Sequence, residues 1–176
     1  MNKDYGYPPT LTPMTQVQTL ESTGAGHYYV GAPWGWDTDF MGGYPFQGQW
    51  ANLPMKEGAW FFGDAFDAYT GKTIKRVRVS IGRASQGMQG LTGARRFSLR
   101  MHTHASMPAD RPIMSSDTFE GELARGERRW FDVTDVFAQH MASSSWKGFG
   151  VRTEDTANEV YMAFMQSLVL EVTYEA

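Results

Sequence analysis

Cysteine is absent from the 176 residues, so neither a disulfide frame nor a thiolate metal site is open to this chain. Long apolar runs are missing too. Nothing approaches the ~20 residues of a membrane-spanning helix, and Met1-Asn2-Lys3-Asp4-Tyr5 lacks the apolar core of a signal peptide. That pattern predicts a cytosolic residence, or departure from the cell by a route such as lysis. An excess of one charge is also lacking: the net charge is −3 and both signs are interspersed, which argues against nucleic acid or an anionic membrane as the main partner. No Gly-rich phosphate loop follows a strand, no His-Glu-x-x-His occurs, and no Ser-His-Asp order stands out. Asp64 with Asp67 and Asp132 with Asp135 are close carboxyl pairs of the kind a hydrolase needs, but both sit where helix capping or turn formation accounts for them. The expectation is a protein that is not an enzyme and holds no metal or cofactor.

What is abundant is aromatic, glycine and methionine residues, a mixture suited to a β-protein with many tight turns and aromatic platforms. One domain of this length buries roughly 70% of its unfolded surface. Residues 1–25 carry Pro8, Pro9 and Pro13 and read as an extended arm. The arm is either a loose tail or a docking segment, and Tyr5, Tyr7, Leu11, Met14 and Val17 are the side chains that would hold it to a neighbour.

Residues 26–176 read as the folded body. His27 to Val30 is a short strand, and Gly31 to Gly48 a long aromatic loop holding Trp34, Trp36, Phe40, Tyr44 and Phe46; loops of that length are commonly functional. Ala59 to Phe62 is a strand and Asp64 to Tyr69 a helical turn. From Ile74 to Arg83, Val77, Val79 and Ile81 alternate with Arg76, Arg78 and Ser80; Phe97, Leu99 and Met101 alternate in the same way after a Gly/Gln/Ser loop, and the two strands are expected to pair. Thr118–Leu123 and Glu127–Val133 flank a turn at Arg125-Gly126. Asp132 or Thr134 can cap a short helix through Met141, because Val133, Val136, Phe137, His140 and Met141 have helical spacing. Three closing strands follow, around Phe149, Tyr161 to Met165, and Leu168 to Tyr174. The whole predicts an all-β, jelly-roll-like β-sandwich of about eight strands with one short helix and the N-terminal arm.

Trp34, Trp36 and Tyr44, with Asp37 and Asp39 as hydroxyl acceptors, form the candidate binding patch, since the C–H face of a sugar stacks on aromatic rings. The alternative puts Trp34 and Trp36 under their own loop or in a subunit contact. Asp37-Thr38-Asp39 offers two carboxylates, short of the 6 to 8 oxygens of a calcium site, and reads as a solvated turn. His102 and His104, spaced i, i+2, share one strand face as two metal ligands would, yet lack a third ligand in sequence; they read as surface or intersubunit residues that a trimer axis could gather. Arg95, Arg96, Arg125, Arg128 and Arg129 are expected in salt bridges or subunit contacts.

At Trp60-Phe61-Phe62-Gly63-Asp64, Gly71-Lys72-Thr73-Ile74, Arg100-Met101-His102-Thr103-His104, Phe131-Asp132-Val133-Thr134 and Gly148-Phe149-Gly150-Val151 the chain resembles the β-sandwich domains of minor tail proteins from phages infecting actinobacteria. Its closing portion is similar to the DNRLRE jelly roll, with an Asp-Val-Thr turn and a Leu-x-Val-x-Tyr edge. The resemblance covers about Gly48 to Tyr174. It implies a virion protein, homo-oligomeric with a trimer favoured, that touches other virion proteins and a cell-wall polysaccharide of the host. A body that is only domain plus arm also leaves a capsid-decoration or tail accessory role open.

Overall fold

The computed structural model describes residues 13–39, 43–85 and 92–176. Tyr5, Tyr7, Leu11 and Phe40 therefore lie outside the described residues. In chain order the strands are β1 (Thr15–Glu21), β2 (Gly24–Tyr29), β3 (Trp36–Asp37), β4 (Phe46–Gly48), β5 (Lys56–Phe61), β6 (Thr73–Gly82), β7 (Arg95–His102), β8 (Phe119–Leu123), β9 (Arg128–Asp132), β10 (Gly148–Val151), β11 (Met162–Ala163) and β12 (Val169–Glu175), with helix α1 (Thr134–Met141) between β9 and β10. They form two antiparallel sheets facing each other. The smaller runs β1-β12-β6-β9; the larger runs β11-β4-β5-β10-β7-β8, with β2 on β5 and β3 on β2. The count exceeds eight because β3, β4 and β11 are segments of two or three residues and because β1 belongs to the body.

The alternating side chains meet between the sheets. Val77, Val79, Ile81, Leu170 and Val172 of the smaller sheet pack against Trp60, Phe97, Leu99, Met101, Phe149 and Val151 of the larger, all fully buried or nearly so. Phe137 and Met141, one turn apart on α1, join the same cluster. The helix starts differently from the capping expectation. Val133 holds the N-cap position, the Asp132 carboxylate accepts the Thr134 N–H, and the Thr134 hydroxyl oxygen accepts the Val77 N–H at 2.9 Å, tying the helix to β6.

Two further expectations are corrected. β6 and β7 do not pair: β6 lies between β12 and β9, and β7 between β10 and β8 in the opposite sheet. The corner is held by Arg83, whose buried guanidinium donates to the carbonyls of Gly93 at 2.6 Å and Leu123 at 3.3 Å. Likewise β8 and β9 straddle the sandwich across Arg125-Gly126. The arm, finally, is not loose as far as residue 25. Thr15 to Glu21 pairs in unbroken register with Glu175 to Val169, and β2 begins at Gly24.

The outer face of the larger sheet is covered by residues 103–117, which act as a strap. Gly63 N–H donates to the Ala105 carbonyl, Arg100 donates to the carbonyls of Ser115 and Ser116, and the Trp36 indole donates to the Asp110 carbonyl at 3.0 Å. Beneath it sits His102, completely buried and tilted on Phe61, with Nε2 donating to the Trp60 carbonyl at 3.0 Å. Burial lowers its pKa to about 4. A side chain at Gly148, opposite His102, has no room: its Cβ would lie 2.4 Å from the imidazole and 2.5 Å from the Trp60 oxygen. Gly148→Ala is therefore expected to cost about 1–3 kcal/mol by overpacking, whereas Gly93→Ala, with nothing within 4 Å, leaves stability unchanged; chemical denaturation of the two variants checks this.

Candidate functional site

The inner face of the larger sheet runs past the main core at the start of β5. Lys56, first residue of that strand, is opposite Tyr29 of β2 and Gly48 of β4. Its ammonium therefore emerges among rings: Nζ lies 4.3 Å from the Phe46 centroid, 5.0 Å from Tyr29 and 5.6 Å from Tyr161, and donates to the Tyr161 hydroxyl at 3.2 Å. Ring faces carry partial negative charge, which is how a cation at such depth is accommodated. Burial still pulls the Lys56 pKa down to about 8, against the opposing effect of Asp37.

The rings continue outward in both directions. Trp34 meets Tyr29 edge-on at 5.3 Å; Tyr29 contacts His27, and His27 contacts Phe46; Phe46 stacks on Tyr161 at 5.6 Å; Tyr161 meets Trp50 at 5.8 Å. The two ends reach solvent, Trp34 with 62% and Trp50 with 37% of its surface exposed. The result is an aromatic strip from the β2–β3 loop to the β4–β5 loop, with one lysine under its middle. Local backbone chemistry sets both ends. Tyr29 N–H donates to the Gly35 carbonyl, and Gly35 is in the left-handed region, so the Trp34 loop closes tightly. Leu53 N–H donates to the Trp50 carbonyl, while Ala51 takes φ 51° and donates its N–H to Asn158 Oδ1 at 3.0 Å. A non-glycine residue held in that region is a strain that the surrounding contacts must maintain.

Of the patch expected from sequence, Trp34 stands out in solvent and Asp39 is exposed. Trp36 is half-buried, edge-on to Tyr28 and Phe61, with its indole N–H used by the strap. Asp37 turns inward: Oδ1 accepts the Asp39 N–H at 2.9 Å, and Oδ2 lies 3.4 Å from the Tyr29 hydroxyl and 4.0 Å from His27 Nε2. Tyr44 packs against the cluster of Phe46, Ala84, Tyr161 and Ala163, and its carbonyl accepts from His27 Nδ1 at 2.9 Å. Burial, and then the Lys56 charge, lower the His27 pKa to about 4, so the ring is neutral at pH 7. Among the described residues no group of three His, Asp or Glu side chains is placed to hold a metal ion.

The contact residues fare differently. Met14 is exposed. His102 is inside the chain rather than on a surface, because Gly148 and the strap close over it, and His104 lies just past β7 with Nε2 accepting the Ile113 N–H. The arginine clusters bind mostly carbonyls: Arg95 reaches Asn158, Arg125 reaches Ser85, and Arg128 reaches Ser80 and Ser167. Sequence reasoning passed over Lys56, Tyr29, Phe46, Tyr161 and Trp50 as site residues. The available signal was Lys56-Glu57 opening an otherwise apolar strand, with Trp50 just beyond the aromatic loop.

The low Lys56 pKa has a consequence for stability. Between about 8 and 10.5 the folded chain has released the Lys56 proton while the unfolded chain keeps it, so stability rises with pH across that window. Lys56→Met has no such proton. The stability of the parent chain minus that of Lys56→Met is expected to climb through the window in urea unfolding, and a flat difference would contradict a desolvated amine.

No protein-family model matches this chain, and no curated protein matches it.

Proposed function

We propose that the chain is a non-catalytic glycan-binding β-sandwich, presented on a phage virion, whose Trp34–Trp50 strip stacks on a cell-wall polysaccharide of the host. The observation that carries the reading is the strip itself. Two exposed indoles anchored by continuous ring contacts give rigid apolar platforms, which cost little ordering on binding. Asp39, exposed beside this loop, can accept a sugar hydroxyl. Single-site affinity of such a surface is weak, and several copies on one particle raise it through effective concentration. The virion setting rests on the sequence resemblance to minor tail proteins.

The carboxyl pairs speak for binding over hydrolysis. Asp64 and Asp67 both face Lys147, at 3.5 Å for Asp64 and closer for Asp67, and the pKa of Lys147 is raised chiefly by Asp67. Asp132 accepts from the Thr134 hydroxyl and from Arg76 at 2.7 Å, and both hold its carboxyl below the usual range. Carboxylates so occupied are pinned in place, which suits structural turns. A structural accessory role within the same particle is favoured by one feature, the edge that β1 forms among the described residues.

Retention on actinobacterial cell-wall polysaccharide tests the reading. Trp34→Ala and Trp50→Ala are each expected to weaken it about tenfold, equivalent to ~1.4 kcal/mol, while Trp130→Ala, on the outer face of the other sheet, leaves it unchanged. Equal retention by all three variants ends the proposal, and release of reducing ends from the polysaccharide would replace it with a hydrolase.

A further inference from the structure

We propose that β1 is a self-pairing edge: two copies of the chain join antiparallel through Thr15–Glu21 about a two-fold axis at Val17, merging two four-stranded sheets into one of eight strands. Thr15-Gln16-Val17-Gln18-Thr19 reads the same in both directions. An isologous contact needs this property, since each residue must suit the copy that faces it.

The backbone is aimed correctly. The Met14 carbonyl accepts from Ala176 N–H and Ser22 N–H donates to the Leu168 carbonyl, so even-numbered groups of β1 face β12. By alternation the N–H and C=O groups of Thr15, Val17 and Thr19 point away from it. With Val17 on the axis these three residues exchange about six backbone hydrogen bonds with the second copy. Glu21 then falls opposite Pro13, which has no N–H, and the ladder stops.

Side chains agree with the same register. Val17 would meet Val17 and Met14 would meet Leu20, covering Met14 and Val17, which are 73% and 64% exposed in the single chain. Gln16 would meet Gln18. Their Oε1 atoms already accept the hydroxyls of Tyr174 and Tyr69 at 2.8 and 3.2 Å, which fixes the amides, and each oxygen retains a lone pair for the opposing NH2 group. No charge lies between Thr15 and Leu20, so the copies approach without like-charge opposition.

Other edges among the described residues are blunted. β9 carries Arg128, Arg129 and Asp132 in five residues, β8 carries Glu120, Gly121 and Glu122, and β3 and β11 have two residues each. Short or charged edges resist pairing with another chain. β1 has seven residues, an unbroken register on β12, no lysine, and its one charge at the end.

Sedimentation of the full chain over a concentration series tests this. The parent is expected to pass from monomer to dimer. Val17→Pro removes the two central donors without touching the β12 ladder, so it is expected to weaken the dimer about tenfold or more at an unchanged melting temperature. Val17→Cys, the only thiol in its chain, is expected to form a disulfide-linked dimer on oxidation, because paired Cα atoms ~5.5 Å apart suit that bond; Gln18→Cys, opposite Gln16, is not. A parent that stays monomeric up to its solubility limit overturns the proposal. Dimers that tolerate Val17→Pro, or oxidised Val17→Cys that stays monomeric, overturn it equally, and the second readout stands should the proline variant fail to fold.

Discussion

All six residues of β5 are buried, and the first two, Lys56 and Glu57, are charged. A charge taken out of water costs several kcal/mol unless it is met by partners. Adjacent strand residues point to opposite faces, so the two charges need separate solutions. On the outer face Glu57 accepts from Arg111 at 3.0 and 2.5 Å and lies 3.2 Å from Arg152. Arg111 belongs to the strap, and this pairing pins the strap across the sheet. On the inner face Lys56 is met by ring faces and a tyrosine hydroxyl. Those rings in turn fix the two loops that raise Trp34 and Trp50. The position of the proposed site thus follows from how one end of one strand is neutralised.

The remaining surfaces are closed off in different ways. Outside the smaller sheet, Arg76 pairs with Asp132, Arg78 with Glu171 and Lys75 with Glu175, while the Arg78 guanidinium lies 5.0 Å over Trp130. That is a solvated charge ladder, of modest energetic worth and poor as an apolar contact. The larger sheet is hidden by its strap. Among the described residues the large apolar side chains that meet water are Trp34 and Trp50 of the aromatic strip, Met14 and Val17 at the β1 edge, and the separate Leu53, Ile113 and Trp130. In the functions proposed above, the strip meets a ligand and the β1 edge meets a second copy of the chain.

Much of the sheet content was legible because alternation is a local signal. Val77, Val79 and Ile81, then Phe97, Leu99 and Met101, face the core as their spacing predicts, and the helix through Met141 follows its apolar stripe. The partner of each strand was not legible. Either sheet of a sandwich presents one face inward, so alternation is the same in both, and β6 and β7 were set side by side when Arg83 turns the chain across. His102 has the spacing of an outward residue, and its burial depends on a glycine 46 positions later in the chain and on the strap. Lys56 is hidden for a similar reason: its environment comes from Tyr29, Phe46 and Tyr161, which no local window contains. Trp34 is exposed, as the proposed patch requires, whereas Trp36 and Tyr44 are drawn inward by partners on distant segments.

The six tryptophans are natural reporters for the central claim, that saccharide is met at the aromatic strip. Indole N–H resonances followed by NMR during addition of cell-wall polysaccharide should move for Trp34 and Trp50, while those of Trp60 in the core and Trp130 on the far sheet stay in place. Movement of Trp130 alone, or of no indole at saturating polysaccharide, would contradict the account.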